Sequence, residues 1–333
     1  MDKERRALLS IIDRFAGKAV AVWGDFILDE YLYGTTRRVS REAPVLILSY
    51  RKKDFSLGGA GNSVLNLKAL GASPLPIGVV GGDEPGEQII AILRGQKIPT
   101  KHIHRMKGCQ TPIKTRILAG EENTRKQQIL RIDKEVRVPP DGKLRERLSS
   151  FLLEAKNQAD ALLISDYNYL TVGEDVYSSI LPAWKKARRP VTVDSRFRLL
   201  RFKGVTAATP NEPEAEAALQ VELGDDARRL KQAGNLLLKK LQSRALLITR
   251  GSRGMALFEP GRPPYLIPVH GTTDIVDVTG AGDTVISVFT LALSCGADFR
   301  QATELANYAG GVVVMKKGTA ALTTEELREA ISS

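Results

Sequence analysis

Residues 277–285 read DVTGAGDTV, which sets a carboxylate beside residues that have little or no side chain. The small residues are Gly280, Ala281 and Gly282, and the carboxylate that follows them is Asp283. The apolar spacing of the next residues, VISVFTLALSCG, predicts a buried helix of about three turns that ends near Gly296. Asp283 then lies in the first helical turn, where uncovered backbone N–H groups stabilise an anion by about 0.3 to 1 kcal/mol for each favourable charge.

This arrangement suits the transfer of an anionic group to a hydroxyl. Small residues let a phosphate approach the backbone amides, and a carboxylate beside them can take the proton of the attacking hydroxyl. The alternative is that Asp283 merely caps a helix that follows glycines. The stretch by itself leaves both interpretations open.

Three other stretches could contribute to the same site. Gly58 and Gly59 precede a predicted helix with Asn62 near its start, which suits sugar hydroxyls, although glycine-rich turns before helices are common. TPNEPEAEAAL (209–219) puts Asn211 and Glu214 at the beginning of another helix, where a carboxylate could hold Mg²⁺ through water or simply cap the helix. ITRGSRGMALF (248–258) predicts a strand, a glycine turn and a second strand, against which a nucleotide could lie.

The elements that must position these residues alternate along the chain. Short apolar runs at 18–25, 161–167, 190–196 and 244–251 predict buried strands, and the stretches 141–158, 174–188 and 225–242 predict helices between them. This alternation indicates a parallel sheet covered on both faces, in which ligands bind at the carboxyl ends of the strands. The residues expected along that rim are Asp25, Asp166, Asp194 and Arg250.

Two stretches interrupt this order. Residues 31–55 and 111–133 alternate apolar with polar residues, and the second contains a plausible turn at Gly120 to Asn123. They predict a small antiparallel sheet that projects as a lid, or else an ordinary edge hairpin. Its apolar face must cover a ligand or a second subunit; the residues expected on that face are Val45, Ile47, Ile117, Ile129 and Ile132.

Composition excludes several classes of protein. Of the 333 residues, 43% are hydrophobic and 26% charged, and no run of about 18 apolar residues or signal-peptide pattern occurs. Two cysteines, Cys109 and Cys295, predict reduced thiols and a cytoplasmic protein. The net charge of +11 falls in scattered basic groups without interleaved aromatic residues, so we expect no nucleic-acid partner and no membrane contact. Walker A, HRD and DFG motifs are absent, and the three histidines form neither a metal triad nor a Ser/His/Asp arrangement.

Together the motifs resemble the ribokinase-like (PfkB) family of sugar kinases, from about Ala21 to Thr323. In that family a GD strand, a glycine loop with Asn, an NxxE motif and a DTxGAGD motif occur in this order. Their counterparts here are Gly24-Asp25, Gly58-Gly59 through Asn62, Asn211 to Glu214, and Asp277 to Asp283. The resemblance implies an α/β fold with a mostly parallel central sheet, helices on both faces and a small β-sheet lid. We expect one domain over residues 1–333, with lid segments at about 30–56 and 110–134.

Carried over by position, the resemblance implies that Asp283 is the base and that Gly280, Ala281 and Gly282 form the anion hole. It also implies ATP as phosphoryl donor, Mg²⁺ held through water by Glu214, and a possible K⁺ ion beside Asp277 and Thr279. The implied ATP contacts are Asn211, Glu214, Thr249, Gly251, Gly254, Asn307 and Gly310. The implied sugar contacts are Asp25, Asp29, Gly58, Gly59 and Asn62, with Asp166 of the rim added as a substrate contact.

Within the family the chain looks most like bacterial kinases of D-glycero-β-D-manno-heptose 7-phosphate. GDFILDEYLYGTTRRVSREAPV, QQILRID, ISDY, ATPNEPE and VTGAGDTVI carry this resemblance. A phosphorylated sugar would give the basic residues a task, and the candidate phosphate clamps are Lys114, Arg116, Arg131 and Arg196.

The sequence departs from that subgroup at two places. Asn168-Tyr169 stands where a Lys-Gly pair is usual, and Asp194-Ser195-Arg196 stands where Asp-Pro-Lys is frequent. The HxGH motif of the bifunctional heptose enzymes is also absent, so we expect the kinase alone. The alternatives are a kinase of another sugar, sugar phosphate or nucleoside, and a sensor that binds without turnover. A homodimer formed through the lid is a further expectation.

Overall fold

A long strand, β1 (Ala19–Val39), belongs to two sheets and joins them. The structure is a computed structural model that describes residues 3–120, 126–139, 141–271, 276–316 and 318–333. Residues up to Asp25 pair with the central sheet, and residues from Phe26 onward pair with a smaller sheet. The rim of the central sheet therefore lies where the smaller sheet begins.

The central sheet is mostly parallel, as the alternation of elements predicts. Its other strands are β3 (Ser73–Gly81), β4 (Ile103–Met106), β7 (Ala161–Asp166), β8 (Val191–Ser195), β9 (Ala207–Ala208), β10 (Ala245–Thr249), β11 (Met255–Phe258) and β12 (Tyr265–Ile267). Their order is β12-β11-β10-β9-β8-β7-β1-β3-β4. Pairing is parallel from β4 to β10, and only the β10–β11 and β11–β12 pairs are antiparallel among the described residues.

Helices cover both faces of this sheet and bury two cores. The helices are α1 (Lys3–Ile12), α2 (Ala60–Ala69), α3 (Glu84–Gly95), α4 (Gly142–Ala155), α5 (Glu174–Lys186), α6 (Glu212–Leu219), α7 (Ala227–Leu241), α8 (Ala281–Ser294), α9 (Phe299–Val313) and α10 (Thr324–Ser332). Val20 and Val22 of β1 pack in the core with α8 and α9, whereas Ala21 and Trp23 pack with α4, α5 and α7. Successive strand residues point to opposite faces, which is why one apolar run supplies both cores. Among the described residues, no helix is long and apolar enough to cross a bilayer.

The smaller sheet combines the second half of β1 with β2 (Leu46–Gly59), β5 (Ile113–Gly120) and β6 (Gln127–Lys134). The β1–β2 and β5–β6 pairs are antiparallel, which confirms the pairing predicted for 31–55 and 111–133, while β5 runs parallel to β1. The predicted turn at Gly120 to Asn123 lies mostly outside the described residues. One domain over residues 1–333, with the segments 30–56 and 110–134 acting as a lid, stays a prediction.

The face of the smaller sheet that lies over the cleft is charged, which corrects one expectation. Asp29, Lys114 and Arg131 follow the same side of neighbouring strands, with Arg116 directly opposite Arg131. Leu130 and Ile132 alternate with Arg131 and are 53% exposed on the other side. A ligand in the cleft cannot cover that apolar side, because the pleat points it away.

Candidate active site

Asp283 is buried at the start of α8 and both of its carboxylate oxygens accept a hydrogen bond. Asn62 Nδ2 donates to Oδ2 at 3.0 Å, and the Tyr167 hydroxyl donates to Oδ1 at 3.1 Å. The side chain is 3% exposed. Its two donors come from α2 and from the loop after β7, so three separate parts of the chain fix the orientation of this carboxylate.

Burial raises the pKa of Asp283 from its usual value to about 7. The hydrogen bonds from Asn62 and Tyr167 act in the opposite direction, as does the nearby Lys114, whereas the charge of Asp29 adds to the rise. A carboxyl group with a pKa near the working pH is well matched to a general base, because it is ionised often enough to accept a proton and basic enough to hold it.

A second layer of amides holds Asn62 in place. Asn66 Nδ2 donates to Asn62 Oδ1 at 3.2 Å, and Asn66 Oδ1 accepts from the Thr284 hydroxyl and the Leu322 amide. Gly280 lies against Asn62 with φ +78°, and a Cβ atom at Gly280 would approach Asn62 Nδ2 to 2.4 Å. Glycine at 280 is therefore required both by the backbone conformation and by the close approach of Asn62.

The backbone amides at the α8 N-terminus are only partly available to an anion. Ala281 N–H already donates to Val278 O at 3.2 Å. In the described part of the chain, the N–H groups of Gly282 and Asp283 have no backbone acceptor. Among the three residues expected to form the anion hole, the turn before the helix uses the Ala281 amide, and an anion hole built from Gly280, Ala281 and Gly282 stays a prediction.

A cavity of about 220 Å³ opens beside these amides. It brings together residues predicted separately for catalysis, nucleotide and substrate: Asp166, Arg196, Asn211, Glu214, Thr249, Gly280, Gly282 and Asp283. Tyr167, Asp194 and Thr209 complete its lining. The NxxE and DTxGAGD motifs, which lie far apart in the sequence, therefore meet at one cleft at the carboxyl ends of the central strands.

Two carboxylates in this cavity suit a divalent cation. Burial raises the pKa of Asp194 well above its usual value, and the charges of Glu214 and Asp283 add to the rise. Burial likewise raises the pKa of Glu214, against the effect of the Asn211 amide. The Thr209 hydroxyl is buried without a hydrogen-bond partner among the described residues. Among the residues that the structure describes, no group of three or more acidic, His or Cys ligands is placed to hold a metal ion, so a cation would keep water and phosphate oxygens in its shell.

Glu214 also has the capping role that the sequence left open. Its Oε2 accepts from the Asn211 amide and Asn211 Oδ1 accepts from the Glu214 amide, both at 2.9 Å. This reciprocal capping box begins α6. The capping interpretation is therefore correct, and Glu214 still lines the cavity.

The smaller sheet places two cationic side chains, Arg116 and Lys114, over the cleft. Arg116 donates to Asp29 at 2.7 Å, with both side chains buried, and Gly58 leaves room for this carboxylate because a Cβ there would lie 2.8 Å from Asp29 Oδ2. Lys114 Nζ lies 5.1 Å from the centre of the Tyr167 ring. Among the described residues, Lys114 makes no hydrogen bond or ion pair, and burial lowers its pKa. Its charge is thus available to a ligand.

Several residues expected at the rim or at the substrate site have partners within the protein, and their contacts with a substrate stay a prediction. The Asp25 carboxylate accepts the backbone amides of Tyr167, Tyr169 and Thr171 and does not line the cavity. Arg250 of the predicted rim pairs with Glu212 at 2.8 Å and also lies outside the cavity lining. Arg131 pairs with Asp133 near the surface of the smaller sheet. Asp166 lines the cavity, but Ser195 and Arg198 already donate to its carboxylate.

The expected nucleotide contacts divide into two groups. Asn211, Glu214 and Thr249 line the cavity, whereas the following residues do not: Gly251, Gly254, Asn307 and Gly310. Gly254 allows close packing of β11 on β12, since a Cβ there would lie 2.0 Å from Ile267 O. Asn307 donates to Pro268 O at 2.8 Å. Contacts of these residues with a nucleotide stay a prediction.

Asp277 ties two loops together next to the cavity. Its carboxylate accepts the Thr279 amide and the Gly318 amide, each at 2.9 Å, and these bonds lower its pKa despite burial. The ionised side chain thereby fixes the turn that leads into α8. A monovalent cation beside Asp277 and Thr279 stays a prediction.

Tyr167 was not predicted as a site residue, and Asp194 was expected only as part of the rim. The ISDY stretch ends a strand, which indicates proximity to the rim, but no spacing rule shows that the tyrosine hydroxyl reaches Asp283. Asp194 is the next-to-last residue of β8, and its position after the apolar part of that strand could have suggested a cavity residue.

Comparison with known proteins places the chain in a family. Residues 18–326 match the model of the pfkB family carbohydrate kinases. The chain is 36% identical to the bifunctional protein HldE of Trichlorobacter lovleyi over 330 residues, and 37% identical to that of Caulobacter vibrioides over 328 residues. These matches cover 99% and 98% of this chain and 66% of each relative, so the chain spans about two thirds of the length of those relatives.

Solved structures confirm the ribokinase-like fold. Arabidopsis thaliana ribokinase complexed with ribose and ATP aligns with a TM-score of 0.72 at 20% identity, over 96% of this chain and 99% of that one. Phosphofructokinase-2 from Escherichia coli in complex with fructose-6-phosphate aligns with a TM-score of 0.73 at 17% identity, over 95% and 98%. Since the family model covers most of the sequence, the chain belongs to the PfkB family of carbohydrate kinases, which are sugar phosphotransferases.

Proposed function

We propose that this sugar kinase transfers the γ-phosphoryl group of ATP to O1 of D-glycero-β-D-manno-heptose 7-phosphate in the cytoplasm. The observation that carries the acceptor is Lys114, a largely buried ammonium group that makes no hydrogen bond or ion pair among the described residues and is close enough to lower the pKa of Asp283. A buried cation without an anionic partner is costly, so a site that contains one is suited to an anionic ligand. The motif resemblance to heptose 7-phosphate kinases points to the same substrate.

In this proposal the chain's own groups divide the work. The Asp283 carboxylate accepts the proton of the acceptor hydroxyl, and the Gly282 and Asp283 amides stabilise the charge on the transferring group. Asp194 and Glu214 would hold Mg²⁺ through water, and the ion when bound would neutralise phosphate charge. Asp29 and Asn62 orient the sugar, and Arg116 keeps Asp29 in position.

A substrate panel tests the acceptor, with Lys114→Met as the diagnostic variant. We expect ADP release to be fastest with heptose 7-phosphate, compared with the unphosphorylated heptose, fructose 6-phosphate and a nucleoside. Lys114→Met should raise KM for the phosphorylated heptose by about 10- to 100-fold, the value of a hydrogen bond to a charged group, with little change for the unphosphorylated sugar.

Lys53→Met is the matched control for Lys114→Met. Lys53 lies on the same small sheet but pairs with Glu30 at 3.3 Å and is much more exposed. The Lys53→Met variant should leave KM unchanged for both the phosphorylated and the unphosphorylated heptose. Equal KM changes for the two heptoses in Lys114→Met would contradict a phosphate contact at this residue.

A homodimer through the smaller sheet is the second proposal. Since ligand cannot reach its apolar side, a second copy of the chain is the proposed cover for Leu130 and Ile132. Light scattering at micromolar concentration should show a dimer, and Leu130→Asp should produce a monomer. Leu266→Asp, on β12 and 52% exposed, is the control and should stay dimeric. A monomeric wild-type protein would remove this proposal.

A further inference from the structure

The loop that carries Tyr167 has an unusual backbone. Asn168 and Leu170 have positive φ values of 65° and 69°. Asparagine tolerates this left-handed conformation, but leucine adopts it rarely, and such residues cost of order 1–3 kcal/mol unless the surroundings hold them. Loop 167–171 therefore needs a partner that holds it in place.

Asp25 is that partner. Its Oδ2 accepts the amides of Tyr167 at 2.8 Å and Tyr169 at 3.1 Å, and its Oδ1 accepts the amide of Thr171 at 3.1 Å. These are alternate residues, and the left-handed residues between them turn all of the N–H groups toward one anion. The Asp25 side chain is 1% exposed, and Asp25 does not line the cavity around Asp283.

The anchored loop delivers one hydroxyl to the candidate base. Tyr167 donates to Asp283 Oδ1, and its ring lies against Gly59, where a Cβ would approach Tyr167 Cδ2 to 3.3 Å. Burial raises the pKa of Tyr167 well above its usual value, so the phenol stays protonated and acts as a donor. Asn62 holds the other oxygen of Asp283, so both oxygens are oriented.

We propose that Asp25 and Tyr167 are positioning residues: Asp25 fixes loop 167–171, and the Tyr167 hydroxyl then orients Asp283 and favours its ionised form. This inference rests on the proposed role of Asp283 as the base. It also reassigns Asp25, which the resemblance implied as a sugar contact. Arg198 braces the same region through Asp166 and Val172 O.

Other charged groups also face Asp283, and they set the background for a pH experiment. They are Asp29 from β1, Lys114 from β5 and Asp194 from β8. None of them changes in Tyr167→Phe. Burial, with the Asp166 charge adding, raises the pKa of Asp25 to about 6, so Asp25 stays largely ionised in rate measurements from about pH 7 to about pH 9.

Tyr167→Phe is the first test. Because the lost bond stabilises ionised Asp283, kcat/KM should fall by about 10- to 100-fold near neutral pH, and the acid limb should move to higher pH. The deficit should therefore narrow as the pH rises, with KM for the sugar unchanged. Tyr169→Phe removes a hydroxyl from the same loop that makes no described contact with Asp283, and it should behave as wild type. Unchanged activity, or a deficit that is constant with pH, would overturn the proposal.

Asp25→Asn is the second test, because asparagine can accept some of the loop amides but also points N–H donors at them. It should reproduce the shifted acid limb, and adding it to Tyr167→Phe should cost little more than the larger single effect. Additive losses with a raised sugar KM would instead identify Asp25 as a direct sugar contact and overturn its assignment. If Asp25→Asn does not fold, Tyr167→Phe still decides the role of the hydroxyl.

Comparing Asp283→Asn with Tyr167→Phe separates the positioning role of Tyr167 from the proposed role of Asp283 as the base. An active Asp283→Asn variant would refute the base itself. An inactive Asp283→Asn together with a pH-independent Tyr167→Phe would refute only the positioning role.

Discussion

Asp283→Asn should lower kcat by about 10²- to 10⁴-fold and leave KM for both substrates almost unchanged. The amide has nearly the same shape as the carboxylate but cannot accept the proton of the acceptor hydroxyl. Steady-state ADP release with heptose 7-phosphate measures the effect. Turnover close to that of wild type would contradict the assignment of Asp283 as the base.

The pH profile gives an independent check of the same residue. Because the pKa of Asp283 is raised to about 7, the wild-type kcat/KM should fall as the pH drops below that value and the carboxyl becomes protonated. The residual activity of Asp283→Asn should lack this acid limb. A limb that persists unchanged in the variant would assign the titration to another group.

Above neutral pH, Asp283→Asn should lose activity without losing stability. A carboxyl whose folded pKa is raised contributes to stability below its unfolded pKa, and that contribution is lost as the pH rises through about 7. Above neutral pH the buried, ionised Asp283 therefore weakens the fold. Thermal unfolding at such a pH should show Asp283→Asn at least as stable as wild type, which also excludes misfolding as the cause of lost activity.

Gly280→Ala should have the second large effect, with activity and stability lost together. The new Cβ would lie 2.4 Å from Asn62 Nδ2, and the backbone at φ +78° disfavours any side chain by about 1–2 kcal/mol. Displacing Asn62 removes one of the two donors to Asp283 and distorts the amides that face the cavity. We expect kcat to fall by about 10²- to 10³-fold, as for loss of an oxyanion donor, and the unfolding temperature to fall as well.

Gly282→Ala is the matched control for Gly280→Ala. A Cβ at Gly282 would meet only Asp194 Oδ2, at 3.7 Å, which is ordinary contact, and its φ is not positive. The fold should therefore keep its unfolding temperature, while a methyl group in the cavity should weaken nucleotide binding. Wild-type stability and turnover in Gly280→Ala would show that the backbone at 280 can relax away from Asn62.

The predicted elements agree with the structure where the pattern is local. The apolar run before Asp166 forms β7, and the apolar spacing after Asp283 forms α8, which ends at Ser294 just before Gly296. The Asn211–Glu214 spacing could be interpreted in two ways, and the structure shows that the capping box is present. Local patterns succeed because strand and helix periodicity depend on residues only a few positions apart.

The orientation of the smaller sheet could not be predicted in the same way. Its alternation was visible, but which side lies over the cleft depends on how β1 passes from one sheet to the other at Asp25 and Phe26. A shift of one residue in register would exchange the charged side with the apolar side. Of the two covers predicted for the apolar face, a ligand or a second subunit, the pleat leaves only the second able to reach Leu130 and Ile132.

The sequence by itself determined the fold family, the parallel sheet and the set of motifs around Asp283, because these follow from spacing along the chain. Only the tertiary structure decided which side chains complete the site. Asn62 lies 221 residues from Asp283 and Tyr167 lies 116 residues from it, and the Asp25 carboxylate reaches a loop 142 residues away. Such contacts arise from the packing of α2, β1 and the loop after β7 around α8, and no short-range pattern encodes the partner of a buried carboxylate.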